Sequence, residues 1–193
     1  MNPKELLAIL ETAAKLKIQT RHNWTEGERK ESVADHSWRI ALLAMLLDGI
    51  PEFRDVDLNR VIRMCLIHDL GEAFTGDIPT FEKTEADGER EDDIFQRWID
   101  GFPSPQREEW QALFKEMQAQ QTPEARIYKS LDKLEAVIAH DEAGTSHWLP
   151  LEYELQYSYA VEQTRFSPFL TELREEMDRL TDRVIAQKDG QEN

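Results

Sequence analysis

Val61-Ile62-Arg63-Met64-Cys65-Leu66-Ile67-His68-Asp69 is the stretch on which the fold turns. Its first seven residues are apolar at every position but Arg63 and show no period-two alternation, so they read as a helix packed on most of its sides. Such a helix is the expected central element of an all-α protein. It ends in an imidazole beside a carboxylate. Placing those groups against an apolar run costs free energy unless they are paired or bound to a cation, so the same stretch also marks a candidate site.

Working outward, the residues before it alternate between amphipathic helices and short breaks. Leu6, Leu7, Leu10, Ala13 and Ala14 recur at spacings of three and four and predict a first helix ending near Lys17. Residues 21–31 lose that period and contain Gly27, which predicts a loop, closed by Ser32 as the N-cap of a second helix over residues 33–48. Ile40, Leu43, Ala44 and Leu47 form the core side of that helix, and Gly49-Ile50-Pro51 stops it.

Beyond the central stretch, Gly71, Gly76 and Pro79 make residues 73–84 irregular. A charged segment then leads into helical spacing at Ile94, Phe95, Trp98 and Ile99, and after Pro103 and Pro105 at Trp110, Leu113, Phe114 and Met117. Pro123 precedes a long helix over residues 124–147, and Pro150 and Pro168 mark later breaks. With no strand-like run and no internal repeat, the expected architecture is a single-domain helical bundle over residues 1–186, followed by a polar tail at residues 187–193.

Length and charge narrow the function classes. A chain of 193 residues closes one sizeable core. Its 23 Lys and Arg against 39 Asp and Glu leave a net charge of −16, a field that repels nucleic-acid polymers and anionic membranes. The basic exception is Lys15, Lys17, Arg21, Arg29 and Lys30, where a small anionic substrate could be met. Cys65 is the only cysteine, which excludes a disulfide framework and a thiolate metal cluster and fits a reducing cytoplasm. No apolar stretch approaches bilayer length.

The polar residues that break the apolar faces form a pattern. Glu72 follows His68 by four residues and Asp69 by three, so all three can face one patch, with Glu72 as an acid or base. His36 lies one turn before Ile40, close enough to the apolar face to point inward. On the long helix, Ile127, Leu131, Leu134, Val137 and Ile138 make an apolar face, and Asp132 projects from nearly the opposite side, among Ala136, Ala139 and Ala143. Small residues there let another helix approach, which turns Asp132 inward. Two imidazoles and two carboxylates suit one divalent ion such as Mn²⁺, Co²⁺, Fe²⁺, Ni²⁺, Zn²⁺ or Mg²⁺. Such an ion activates water near neutral pH and polarises a phosphoryl oxygen, so hydrolysis is the expected reaction class.

In order and spacing, His36, His68-Asp69 and Asp132 resemble the metal signature of the HD-domain phosphohydrolase superfamily. Arg21-His22-Asn23-Trp24, Ser32-Val33-Ala34-Asp35-His36, His68-Asp69-Leu70-Gly71-Glu72 and Gly76-Asp77-Ile78-Pro79 are similar to blocks of its 5′-deoxynucleotidase-like branch. The resemblance implies His36, His68, Asp69 and Asp132 as metal ligands, Arg21 on the substrate phosphate, Trp24 selecting the sugar, Glu72 assisting the attacking water, and Asp77 at the site. It also implies a homodimer. Superfamily members with two metals carry extra histidines between the HD pair and the last aspartate. Residues 70–131 have none, and His140 lies eight residues past Asp132, roughly 12 Å along a helix, which favours one metal.

The expected activity is therefore removal of phosphate from (deoxy)nucleoside 5′-monophosphates. The alternatives are a nucleotide- or metal-sensing module without turnover, and a phosphatase of another small metabolite. Lys83, Arg90, His22 and His140 carry no assigned role in this reading.

Overall fold

The computed structural model describes residues 1–25 and 29–191, the side chains of residues 188–191 excepted. Gly27 and the end of the polar tail therefore lie outside the described residues. Helix α1 (Pro3–Ala13) opens on a reciprocal cap in which the Asn2 side chain accepts from the Glu5 amide at 3.0 Å, and it tightens into a 3-10 turn at Ala14–Lys17. The same device starts α2 (Val33–Leu46): Ser32 Oγ accepts from the Asp35 amide at 3.1 Å, and Asp35 accepts from the Ser32 amide at 2.9 Å. Ser32 is thus the expected N-cap.

Between these helices the expected loop is instead a two-stranded antiparallel ribbon. β1 (Thr20–Trp24) pairs with β2 (Lys30–Ser32), with Thr20 opposite Ser32 and Trp24 opposite Lys30. The strands are short and almost wholly polar, so they leave no alternation of apolar residues for a sequence reading to detect. The Val33 amide donates to the Gln19 carbonyl at 3.0 Å and ties the ribbon to the start of α2.

Helix α3 (Leu58–Ile67) is capped by Asp57, whose side chain accepts from the Arg60 amide. It packs on α2 and on the long α7 (Pro123–Ala143), and the three helices enclose the core. Ile40 and Ala44 from α2, Val61, Met64 and Cys65 from α3, and Ile127, Leu131 and Leu134 from α7 are buried there. Burying each of the larger aliphatic side chains contributes roughly 1.5–3 kcal/mol. Leu66 is 49% exposed, so α3 is central yet keeps one strip outward. Helix α7 stops at Ala143, where Gly144 adopts φ 75°, and the residues expected to extend it form a 3-10 turn at Thr145–His147.

The remaining helices wrap this centre. They are α4 (Glu72–Thr75), α5 (Glu85–Asp100), α6 (Gln106–Ala119), α8 (Glu152–Ser158), α9 (Val161–Thr164) and α10 (Pro168–Gln191). At Gly71 the turn after α3 closely approaches α5, since a Cβ on it would lie 2.7 Å from Glu91 Cγ. That approach sets the Glu91 carboxylate beside Asp69 and Glu72. No helix among the described residues is long and apolar enough to cross a membrane. The protein is an all-α single-domain bundle with one small ribbon.

Candidate active site

Four chain segments converge under the ribbon. His36, in the first turns of α2, is fully buried, His68 caps α3, Asp69 lies in the turn beyond it, and Asp132 sits near the middle of α7. His36 Nε2 lies 3.2 Å from Asp132 Oδ1 and 3.9 Å from Asp69 Oδ2, and His68 Nε2 lies 2.9 Å from Asp69 Oδ2 and 3.6 Å from Asp132 Oδ1. One ligand-type atom from each of His36, His68 and Asp69 falls within 4.8 Å of the others.

Both imidazoles have their other nitrogen engaged. His36 Nδ1 donates to the buried carboxylate of Glu135, and His68 Nδ1 donates to the Cys65 carbonyl at 2.9 Å. A neutral ring that donates from Nδ1 offers a bare lone pair at Nε2, so these contacts aim two acceptors at a space already edged by carboxylate oxygens. Despite their 2.9 Å separation, His68 Nε2 and Asp69 Oδ2 make no properly directed hydrogen bond, and both are buried. A shared third partner would satisfy both. The donor set fits a divalent cation of borderline or hard character.

Without an ion the surrounding carboxylates favour a proton on the His68 ring in its place. Burial alone lowers the pKa of His68, yet Asp69 and Asp132 push it up to about 10. Burial alone raises the pKa of Asp69, yet His68 and His36 hold it down at about 2. The pocket draws positive charge to itself. Glu72, 3% exposed, is pushed up to about 10 by burial and by the neighbouring Asp69, Asp77 and Glu91, and its Oε2 is buried without a hydrogen-bond partner.

The ribbon brings in Arg21. Its Nε is 3.2 Å from Glu31 Oε2 on the paired strand and its Nη1 is 3.6 Å from Asp69 Oδ2, while Asn23 Nδ2 donates to the same Glu31 oxygen at 3.3 Å. Arg21 and Asp77 line a cleft with about 630 Å³ of empty space, open to solvent. Trp24 does not line it. The indole stacks on His147 with ring centroids 4.1 Å apart. Lys83 pairs with Glu91 at 2.6 Å, and Arg90 is exposed.

Three residues at the site went unread in the sequence. Glu135 is fully buried between His36 and Arg39, whose Nε lies 3.2 Å from Glu135 Oε1. It was visible as a carboxylate in register with Leu131 and Ile138, inside an apolar stripe. Lys129 donates to Asp132 Oδ2 at 2.7 Å, an i,i+3 pair that spacing allows. Glu31 lay in a segment without periodicity and carried no such signal.

A family model described as HD domain matches residues 13–174. The chain belongs to the HD-domain family. Among relatives of this HD-domain protein, the human 5′-deoxynucleotidase HDDC2 is 31% identical over 145 residues, covering 72% of this chain and 68% of that one. The Schizosaccharomyces pombe 5′-deoxynucleotidase hdd1 is 32% identical over 148 residues, covering 71% and 73%. Among solved structures, one from Magnetospirillum magnetotacticum described as a predicted metal-dependent phosphohydrolase superposes with a TM-score of 0.77 at 28% identity, over 94% of this chain and 93% of that one.

Proposed function

We propose that this HD-domain protein is a metal-dependent phosphomonoester hydrolase that converts (deoxy)nucleoside 5′-monophosphates to nucleoside and phosphate. The observation that carries the reading is the pair of buried, unpartnered atoms His68 Nε2 and Asp69 Oδ2, beside a half-buried arginine and a buried protonatable carboxyl group. The relatives named 5′-deoxynucleotidase support the substrate class.

In this reading His36, His68, Asp69 and Asp132 hold one divalent ion, of the Mn, Co, Fe, Ni, Zn or Mg type. When bound, the ion supplies Lewis acidity and a lowered water pKa. Arg21 turns its guanidinium from Asp69 and Glu31 to the substrate phosphate and offsets charge that grows toward the transition state. Glu72 exchanges a proton through Oε2, and Asp77, on the cleft wall, assists. For Trp24 to take the expected sugar contact, its indole has to leave the stack on His147 and turn into the cleft. Glu135 and Cys65 O act through the histidines by fixing their tautomers.

The same reading has the protein acting on small molecules in the cytoplasm as a homodimer. Trp38, Leu42, Met45 and Leu46 are exposed along α2 and offer an apolar face for a second copy. The deciding assay is phosphate release from a panel of deoxynucleoside and ribonucleoside monophosphates and simple sugar phosphates, with each metal in turn. Tight nucleotide binding without release under every condition would establish a sensor instead.

A further inference from the structure

The cleft has a second end that the phosphate chemistry does not use. Helix α7 lines it through Ala136, Val137 and His140, and carries Asp132 one turn before Ala136. The span from Asp132 to His140 is eight residues, roughly 12 Å along the helix axis. A nucleoside monophosphate with its phosphate between Arg21 and Asp132 would lay its base along α7 toward His140.

The far end is lined by aromatic rings and one carboxylate. The Phe81 ring meets the His22 ring edge to face at 5.3 Å, and Tyr159 also lines the cleft. Glu152 is 3% exposed and has no arginine or lysine partner among the described residues. Its Oε2 accepts from the Leu149 amide at 2.6 Å, while Oε1 lies 3.3 Å from His22 Nε2 and 3.9 Å from His140 Nε2. His140 Nε2 is 3.1 Å from the His22 carbonyl and donates its proton there. A carboxylate offers about four lone-pair positions, so Glu152 keeps capacity for a donor from a ligand. The charge pattern also orients that ligand, because Glu152 repels a phosphate that Arg21 attracts.

We propose that His22, Phe81, Glu152 and Tyr159 seat the nucleobase and that the Glu152 carboxylate accepts a hydrogen bond from an amino group on it, so that amino-bearing bases are preferred. The proposal rests on the nucleotidase reading for its substrate, and it concerns the end of the cleft away from the metal ligands. A carboxylate accepts from the cytosine amino group and opposes the carbonyl that uracil carries in its place.

The test compares dCMP with dUMP, by kcat/KM for phosphate release and, independently of turnover, by calorimetric titration of deoxycytidine and deoxyuridine. Wild-type protein is expected to favour the cytosine compound by roughly tenfold or more in both measurements, the scale of a charge-assisted hydrogen bond. In Glu152→Gln the ratio is expected to fall towards one, since an amide can turn either a donor or an acceptor to the base. Equal treatment of the two bases by wild type, or a preference that survives Glu152→Gln, overturns the proposal. Absence of turnover on every phosphate ester would sink the hydrolase reading while the nucleoside titration still decides this one. Should Glu152→Gln fail to fold, Phe81→Ala serves, with weaker binding of both nucleosides expected and unchanged binding contrary to the proposal.

Discussion

Glu135 and His36, ninety-nine positions apart in the chain, meet as carboxylate and Nδ1 with neither side chain exposed to solvent. Arg39 Nε closes the other side of the carboxylate at 3.2 Å, so Glu135 is held from two directions and in turn holds the imidazole. A histidine gripped in this way has one tautomer and one ring orientation, which a metal ligand requires.

Replacing that carboxylate should therefore act through His36. Glu135→Ala is expected to weaken metal affinity by about 10–100-fold and to lower stability by roughly 3–5 kcal/mol, because Arg39 and His36 lose a buried partner. Glu135→Gln keeps an oxygen for His36 and should recover part of the affinity. Metal titrations and denaturant melts of the two variants check this, and equal metal affinity in wild type and Glu135→Ala would contradict it.

If His68, Asp69 and Asp132 hold a cation as proposed, the folded state should be more stable with it than without it. Saturating Mn²⁺ or Co²⁺ at about a hundred times its dissociation constant is expected to stabilise the fold by roughly 2.7 kcal/mol, and a chelator to remove that gain together with activity. Thermal melts with and without metal provide the measurement. His68→Ala and Asp132→Ala should show little or no metal-dependent shift.

Arg21 contributes a rigid planar fork as well as charge. Arg21→Lys preserves the positive charge but gives up the paired geometry towards Glu31, Asp69 and the phosphate, so kcat/KM should fall about tenfold or more. The stronger change Arg21→Ala also leaves Glu31 buried beside Glu135 with one cation fewer and is expected to melt earlier. Steady-state kinetics and melting curves separate the two effects.

The proposed reading puts Glu72 beside the metal ligands rather than among them, although it also groups with Asp69 and Glu91. Glu72→Gln is expected to lower the rate of phosphate release by about 10²–10⁴-fold while the protein still takes up its metal. Elemental analysis alongside single-turnover assays would show the split, and parallel loss of metal would reassign Glu72 to the ligands.

At Gly71 an added methyl group would press on Glu91 Cγ at 2.7 Å, with the Glu91 carbonyl oxygen a further 3.3 Å contact. Gly71→Ala should cost roughly 1–3 kcal/mol and shift Glu91 away from Asp69 and Glu72. A lowered melting midpoint with an altered pH–rate profile is the expected result.

Which of these residues the sequence disclosed follows from their surroundings. His68-Asp69 stood out because it ends an apolar run, and His36 and Asp132 because each falls on a helix whose faces periodicity defines. The same periodicity carried the all-α fold and the Ser32 cap. It failed in the ribbon, where a five-residue and a three-residue strand of polar side chains bury Asn23, Glu31 and Ser32 through pairing that spacing does not announce. Glu135 was legible in principle, being the charged member of the Leu131 and Ile138 stripe, but its partner lies on another helix. The stack of Trp24 on His147 depends on the turn after α7, which ends at Gly144 sooner than the apolar pattern suggests.

Because one unbroken helix carries both Asp132 and His140, α7 would serve, on the proposed reading, as a ruler between the metal and the base. A single residue inserted between positions 132 and 136 would turn everything downstream by about 100° and advance it by about 1.5 Å. The two ends of the cleft would then no longer belong to the same ligand. A change in substrate size would thus be met more easily by the loop that carries Phe81 than by the length of this helix.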